Sequence, residues 1–139
     1  MAVKTESIEV RTEGATDIVD ITAQLREAIG RTGLRSGTAT VFVPGSTASL
    51  STIEFEPGAV KDFGILLERL APRHGEYHHH ATWGDDNGSS HARACLMGPS
   101  LVVPFCDGRP CLGTWQQVVL LDFDTRPRQR SLVVQVMGE

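Results

Sequence analysis

The stretch YHHHATWGDDNGSSHARACLMG, residues 77 to 98, carries His78, His79, His80 and His91, four of the five histidines in a 139-residue chain, beside Asp85, Asp86 and Asn87. Neutral imidazoles with one carboxylate form a ligand set for a divalent metal, and a carboxylate next to an imidazole forms a general base. His79 and His91 are twelve residues apart, which matches no strict metal motif. A solvated loop, with Asp and Asn side chains bonded to their own backbone, accommodates the same residues.

Three further segments offer site chemistry. PGSTAS, residues 44–49, supplies a glycine for close backbone approach and the hydroxyls of Ser46, Thr47 and Ser49 for phosphate oxygens. It lacks the GK[ST] of a phosphate-binding loop, and a plain turn explains it too. Glu54 and Glu56 form either an acid pair or the solvent face of a strand. In LGTWQQ, Trp115 presents a flat ring for stacking a heterocycle and Gln116 an amide to orient it, although a tryptophan also fills a core or an interface. Arg126, Arg128 and Arg130 are spaced by two and point the same way on a strand, where they would grip an anion or pair with acidic residues of a neighbouring chain.

The elements that must position these residues follow from periodicity. SIEVRT alternates as a first strand. Ile18, Ile21, Leu25, Ala28 and Ile29 share one helical face, which predicts a helix capped at Thr16 or Asp17 and ended by Gly30 or Gly33. TATVFVP is a second strand and TASLSTIEFE a third. Val60, Phe63, Leu66, Leu67 and Leu70 predict a second amphipathic helix closed by Pro72. A short helix through HARACLM, capped by Ser89 or Ser90 and ended by Gly98, would place His91 in its first turn, where free amide hydrogens suit a phosphate. A strand through the same residues competes with it. SLVVPF and CLGTWQQVVLLDF form a hairpin over Asp107-Gly108, and RSLVVQVMG is the last strand. The pattern predicts a single α+β domain over 1–139, a mainly antiparallel, β-sandwich-like sheet with two longer helices and one short one.

Composition narrows the functional classes. A charged fraction of 22% and a net charge of −4 provide no general field for nucleic acid. No segment nears the ~20 apolar residues that span a bilayer, and MAVKTESIEV lacks an apolar run of signal-peptide length, so the expected location is the cytoplasm, without membrane partners. Cys95, Cys106 and Cys111 fit neither a disulfide framework nor a CxxC zinc motif and are expected as reduced thiols. Cys106 and Cys111 could still face each other across the hairpin.

Taken in order, VPGSTASLSTIEFEP, YHHHATWGDDNGSSHARACLMGPSLVVPF and DGRPCLGTWQQVVLLDFDTRPRQRSLVVQVMG resemble the YjbQ-like family, also called secondary thiamine-phosphate synthase, over roughly residues 40 to 138. The resemblance implies an α+β fold, a homotrimer with clefts between subunits and, for some members, weak joining of a pyrimidine diphosphate to a thiazole phosphate. It centres the site on His79, Asp86, Asn87 and His91, with His79, His91 and Asp86 as ligands for Mg²⁺ or Zn²⁺. Ser46, Thr47, Glu54, Ser89, Ser90, Trp115, Gln116 and Arg128 are then the expected contacts to a phosphate-bearing small molecule. Two rivals use the same residues: a trimeric protein that holds a metal or anion without turnover, and a metal-dependent phosphate-ester hydrolase. The chain departs from the family at Gly45 and Ser46, where many members carry histidine and threonine. A third imidazole would have to be replaced by His78, His80 or Asp85.

Overall fold

The computed structural model describes residues 1–139. Eight strands run as β1 (Ala2–Thr12), β2 (Asp17–Asp20), β3 (Gly37–Phe42), β4 (Ala48–Ile53), β5 (Ser100–Cys106), β6 (Arg109–Pro110), β7 (Gln117–Asp122) and β8 (Arg128–Gly138). They form a five-stranded sheet in the order β1-β8-β3-β5-β6 and a three-stranded sheet in the order β2-β7-β4. Every pairing is antiparallel.

Four helices, α1 (Thr22–Thr32), α2 (Pro57–Leu70), α3 (His78–Trp83) and α4 (Gly88–Met97), complete the chain. α1 joins the main core through Leu25, Ala28 and Ile29. That core lies between the sheets, where alternate residues of β8 (Leu132, Val134, Val136) meet Val118 and Leu120 of β7. Val119 and Leu121 point the other way and bury against Leu67 of α2 and Ala94 of α4. β7 is therefore apolar on both faces because it is covered on both.

The structure corrects several expectations. Residues 17–20 pair with β7 instead of opening a helix, and α1 begins only at Thr22. Asp20 Oδ1 accepts from the Thr22 amide at 2.9 Å and sets the entry, whereas Asp17 accepts from the Glu13 amide. α3 is a helix where a loop was expected. HARACLM lies within a helix, but Asn87 precedes it at Gly88, and Ser89 and Ser90 are inside its first turn. Trp115 and Gln116 precede β7 in a turn, closed by Gln116 Oε1 accepting from the Gly113 amide at 3.0 Å.

Glu56 caps α2 by accepting from the Gly58 and Ala59 amides, and those bonds hold its carboxyl below the ordinary range. Glu56 is thus a cap and not half of an acid pair. Asp107 and Gly108 both have positive φ, as a tight hairpin requires, but the hairpin joins β5 only to the two-residue β6; β7 crosses to the other sheet, so SLVVPF and CLGTWQQVVLLDF do not pair as expected. Cys106 sits opposite Arg109, and all three cysteines are free and exposed.

Candidate functional site

α3 and α4 lean together at one end of the three-stranded sheet. Gly88 makes this approach possible, because a Cβ there would overlap the Tyr77 side chain. The Gly88 amide donates to His80 Nε2 at 3.0 Å and so joins the two helices. This sets the ring of His79 against that of His91, with centroids 4.4 Å apart and planes tilted by 42°.

Behind His79 stands Asp85, its Oδ1 3.2 Å from Nδ1. Asn87, with its amide nitrogen toward Asp85, donates to both carboxylate oxygens at 3.1 and 3.2 Å. Asp85 favours the proton on His79 Nδ1 and leaves Nε2 as the basic nitrogen. Asp86 turns elsewhere, to a polar cavity shared with Arg73, His74, Gly75 and His80. The sequence proposes Asp86 for the role beside His79; the geometry places Asp85 there.

His91 lines a second cavity, about 360 Å³, with Gly45, Ser46, Ala48, Ala94, Cys95 and Pro99. Below Gly45 lies Arg130. Its Nε and Nη2 bind Asp122 at 2.8 and 2.9 Å, and Nη2 also donates to Thr47 Oγ1 at 2.8 Å. Nη1 makes no hydrogen bond to the protein and would lie 3.0 Å from a Cβ at position 45. The glycine therefore opens a path to a guanidinium edge that any side chain would crowd.

The buried base of this site is ionic. Burial alone would raise the Asp122 carboxyl, but bonds from Arg130, Thr12 and the Asp124 amide together hold it below its ordinary value. Asp124 is lowered in the same way, against burial, by Arg128, the Thr125 amide and Thr47. The Asp122 bonds in turn raise Arg130.

Several expected contacts are committed elsewhere. Arg128 pairs with Asp124 at 2.7 Å, and Thr47 is buried and bonded to Asp124 and Arg130. Arg128 and Arg130 thus serve their own chain, Arg126 is exposed and unpaired, and Arg130, not Arg128, approaches Gly45 at the cavity rim. Ser89 and Ser90 are buried; Ser90 Oγ donates to the Phe123 carbonyl, and the amides of Ser90 and His91 donate to the Asn87 carbonyl. That corrects the expected anion seat at the helix start. Glu54 is exposed, and Gln116 Nε2 donates to Thr52. Trp115 is 72% exposed in the turn before β7, at the far end of β4 from Ala48, because Ile53 pairs with Gln117 and Ala48 with Asp122.

No three His, Cys, Asp or Glu side chains converge as a metal-holding group. The two facing imidazoles supply two ligands at most, and Gly45 contributes none. The chain by itself does not fit a three-ligand metal cage.

The family model described as UPF0047 protein, YjbQ-like, matches residues 6–139. The chain belongs to this YjbQ-like family. A UPF0047 protein of Methanothermobacter thermautotrophicus is 34% identical over 139 residues, covering 100% of this chain and 95% of its own. One from Mycobacterium tuberculosis is 38% identical over 116 residues, 83% of this chain and 84% of its own. The crystal structure of a YbjQ-like protein of unknown function from Sulfolobus solfataricus P2 superposes with a TM-score of 0.92 at 29% identity, covering 99% of each chain. A hypothetical protein from Aeropyrum pernix K1 gives 0.90 at 30% identity, over 98% of this chain and 99% of its own. The YjbQ-like fold thus extends over essentially the whole chain.

Proposed function

We propose that this YjbQ-like chain is a cytoplasmic enzyme acting on phosphate-bearing heterocycles, and that its reaction is thiamine-phosphate synthesis. The observation that carries this reading is the cavity that Gly45 and Ser46 share with His91, with the unbonded Nη1 of Arg130 lying beneath Gly45. In the reaction the bond from the pyrimidine methylene to the diphosphate oxygen breaks, and its electron pair leaves with pyrophosphate. The thiazole nitrogen then bonds to the methylene carbon. Arg130 meets the charge that gathers on the leaving oxygens, and the paired imidazoles of His79 and His91 act as the acid–base group that supplies their proton. Any Mg²⁺ enters with the diphosphate as part of the substrate. Ser46, exposed at the cavity rim, adds a hydroxyl.

The direct test follows pyrophosphate release from hydroxymethylpyrimidine diphosphate with and without thiazole phosphate. Release should depend on the thiazole and fall about tenfold or more in Gly45→Ala, whose methyl crowds Nη1. If anions bind but no pyrophosphate appears, the chain is a binding protein instead.

The same reading includes a homotrimer. The outer face of the five-stranded sheet exposes Phe42, Val102, Val133 and Met137, with Phe42 directly opposite Val133. Trp115 lies too far along β4 to reach its own His91, so a stacking role requires a neighbouring copy. Light scattering at micromolar concentration should give three chains per particle; a stable monomer removes the shared cleft.

A further inference from the structure

A larger cavity, about 420 Å³, lies between the loop at residues 14–16, α2 and α4, apart from His79 and His91. At its wall is Arg93, only 4% exposed. Arg93 donates from Nε to the Ala71 carbonyl, from Nη1 to Thr16 Oγ1 and from Nη2 to Glu68, at 2.9, 2.6 and 2.7 Å. A guanidinium has five N–H donors, so one hydrogen on each terminal nitrogen is left over. Lys61 and Arg73 line the same cavity, and neither forms an ion pair. Three cationic side chains thus face one carboxylate, Glu68, in a protein that is negative overall.

Two backbone features point to the same place. Gly64 stands inside α2, where glycine is the poorest helix former after proline, yet a Cβ there would meet nothing within 4 Å. Packing within the chain does not require this glycine; a molecule lying against the helix would. Gly14, Ala15 and Thr16 hold three consecutive positive φ angles of 79°, 56° and 67°. For alanine and a β-branched threonine that conformation is unfavourable, and here it carries Thr16 Oγ1 to Arg93. Ile18, Val60 and Ile65 add an apolar wall.

We propose that this cavity binds a small organic anion, its phosphate or carboxylate toward Arg93, Lys61 and Arg73 and its apolar part against Ile18, Val60 and Ile65. The cations provide charge-assisted hydrogen bonds and the walls reward an apolar substituent, so inorganic phosphate is the weaker ligand. The site is independent of the reaction at His79 and His91.

The test titrates the full chain, labelled with ¹⁵N, with phenyl phosphate, benzoate and inorganic phosphate. Phenyl phosphate or benzoate should shift the amides of Thr16, Gly64 and Arg73 and bind more tightly than inorganic phosphate; the better of the two assigns the head group. Lys61→Gln combined with Arg73→Gln should weaken binding about tenfold or more. Gly64→Leu should abolish it while the melting temperature stays or rises, since the new side chain fills open space on a better helix former. Shifts confined to Gly45, Ser46 and His91, undiminished binding in Gly64→Leu, or no saturable shift with any probe would overturn the site.

Discussion

Replacing Arg130 with alanine should cost ~3–5 kcal/mol of folding stability, the range for removing one partner of a buried ion pair. The carboxylates left behind, Asp122 and Asp124, are 0% and 2% exposed. Asp122 would keep only Thr12 and the Asp124 amide as donors. Urea unfolding at pH 7 measures the loss, and a change below about 1 kcal/mol would mean that water reaches the pair. The pH dependence gives a second reading. Both folded carboxyls lie below their ordinary values, so in the wild type their contribution is complete above the unfolded carboxylate range, ~4, and lost as pH falls through the lower folded values. Without Arg130, burial dominates at Asp122 and raises its carboxyl, so protonation relieves the variant. The stability gap should therefore shrink as pH drops below ~4; a gap of constant size would contradict the ionic account.

The same ion pair shows where periodicity stops being informative. The spacing of Arg126, Arg128 and Arg130 correctly put the last two on one face of β8, but a strand pattern does not say what lies opposite. Asp122, at the end of β7 in the neighbouring sheet, and Asp124, just beyond it, convert an apparent anion grip into an internal lock. Helix α2 was legible nearly to its ends because apolar stripe and closing proline agree, although its cap, Glu56, was not read as one. The strand at 17–20 was not, because Ile18, Ile21 and Leu25 satisfy the helical template by coincidence, and only pairing with β7 breaks the tie. α3 spans six residues, too few to show a period, and buries no side chain. Its two-point attachment, His80 to Gly88 and His79 against His91, is what turns twelve residues of separation into ring contact. The sequence named both histidines. It chose Asp86 where the structure sets Asp85 beside His79, because adjacent residues in a turn differ only in direction.

That difference yields the second large effect. His79→Ala should lower turnover in the proposed pyrophosphate-releasing reaction by ~10²–10⁴-fold, the usual range for a positioned acid–base group. Asp85→Asn should cost ~10–100-fold, because it orients His79 and fixes its tautomer without touching the substrate. Asp86→Asn should cost the least, since that carboxylate borders the Arg73–His80 cavity and makes no contact with His79. None of the three should move stability by more than about 0.5 kcal/mol: α3 contributes nothing to either core, and both aspartates are exposed. The distinguishing readout is the split between kcat and KM: Asp85→Asn leaves His79 without the group that orients it and should lower kcat with little change in KM, whereas Asp86→Asn should leave both nearly unchanged. If Asp86→Asn proves the more damaging and Asp85→Asn is silent, the His79–Asp85 pair is structural, and the chemistry lies in the cavity that Asp86 shares with His74 and His80.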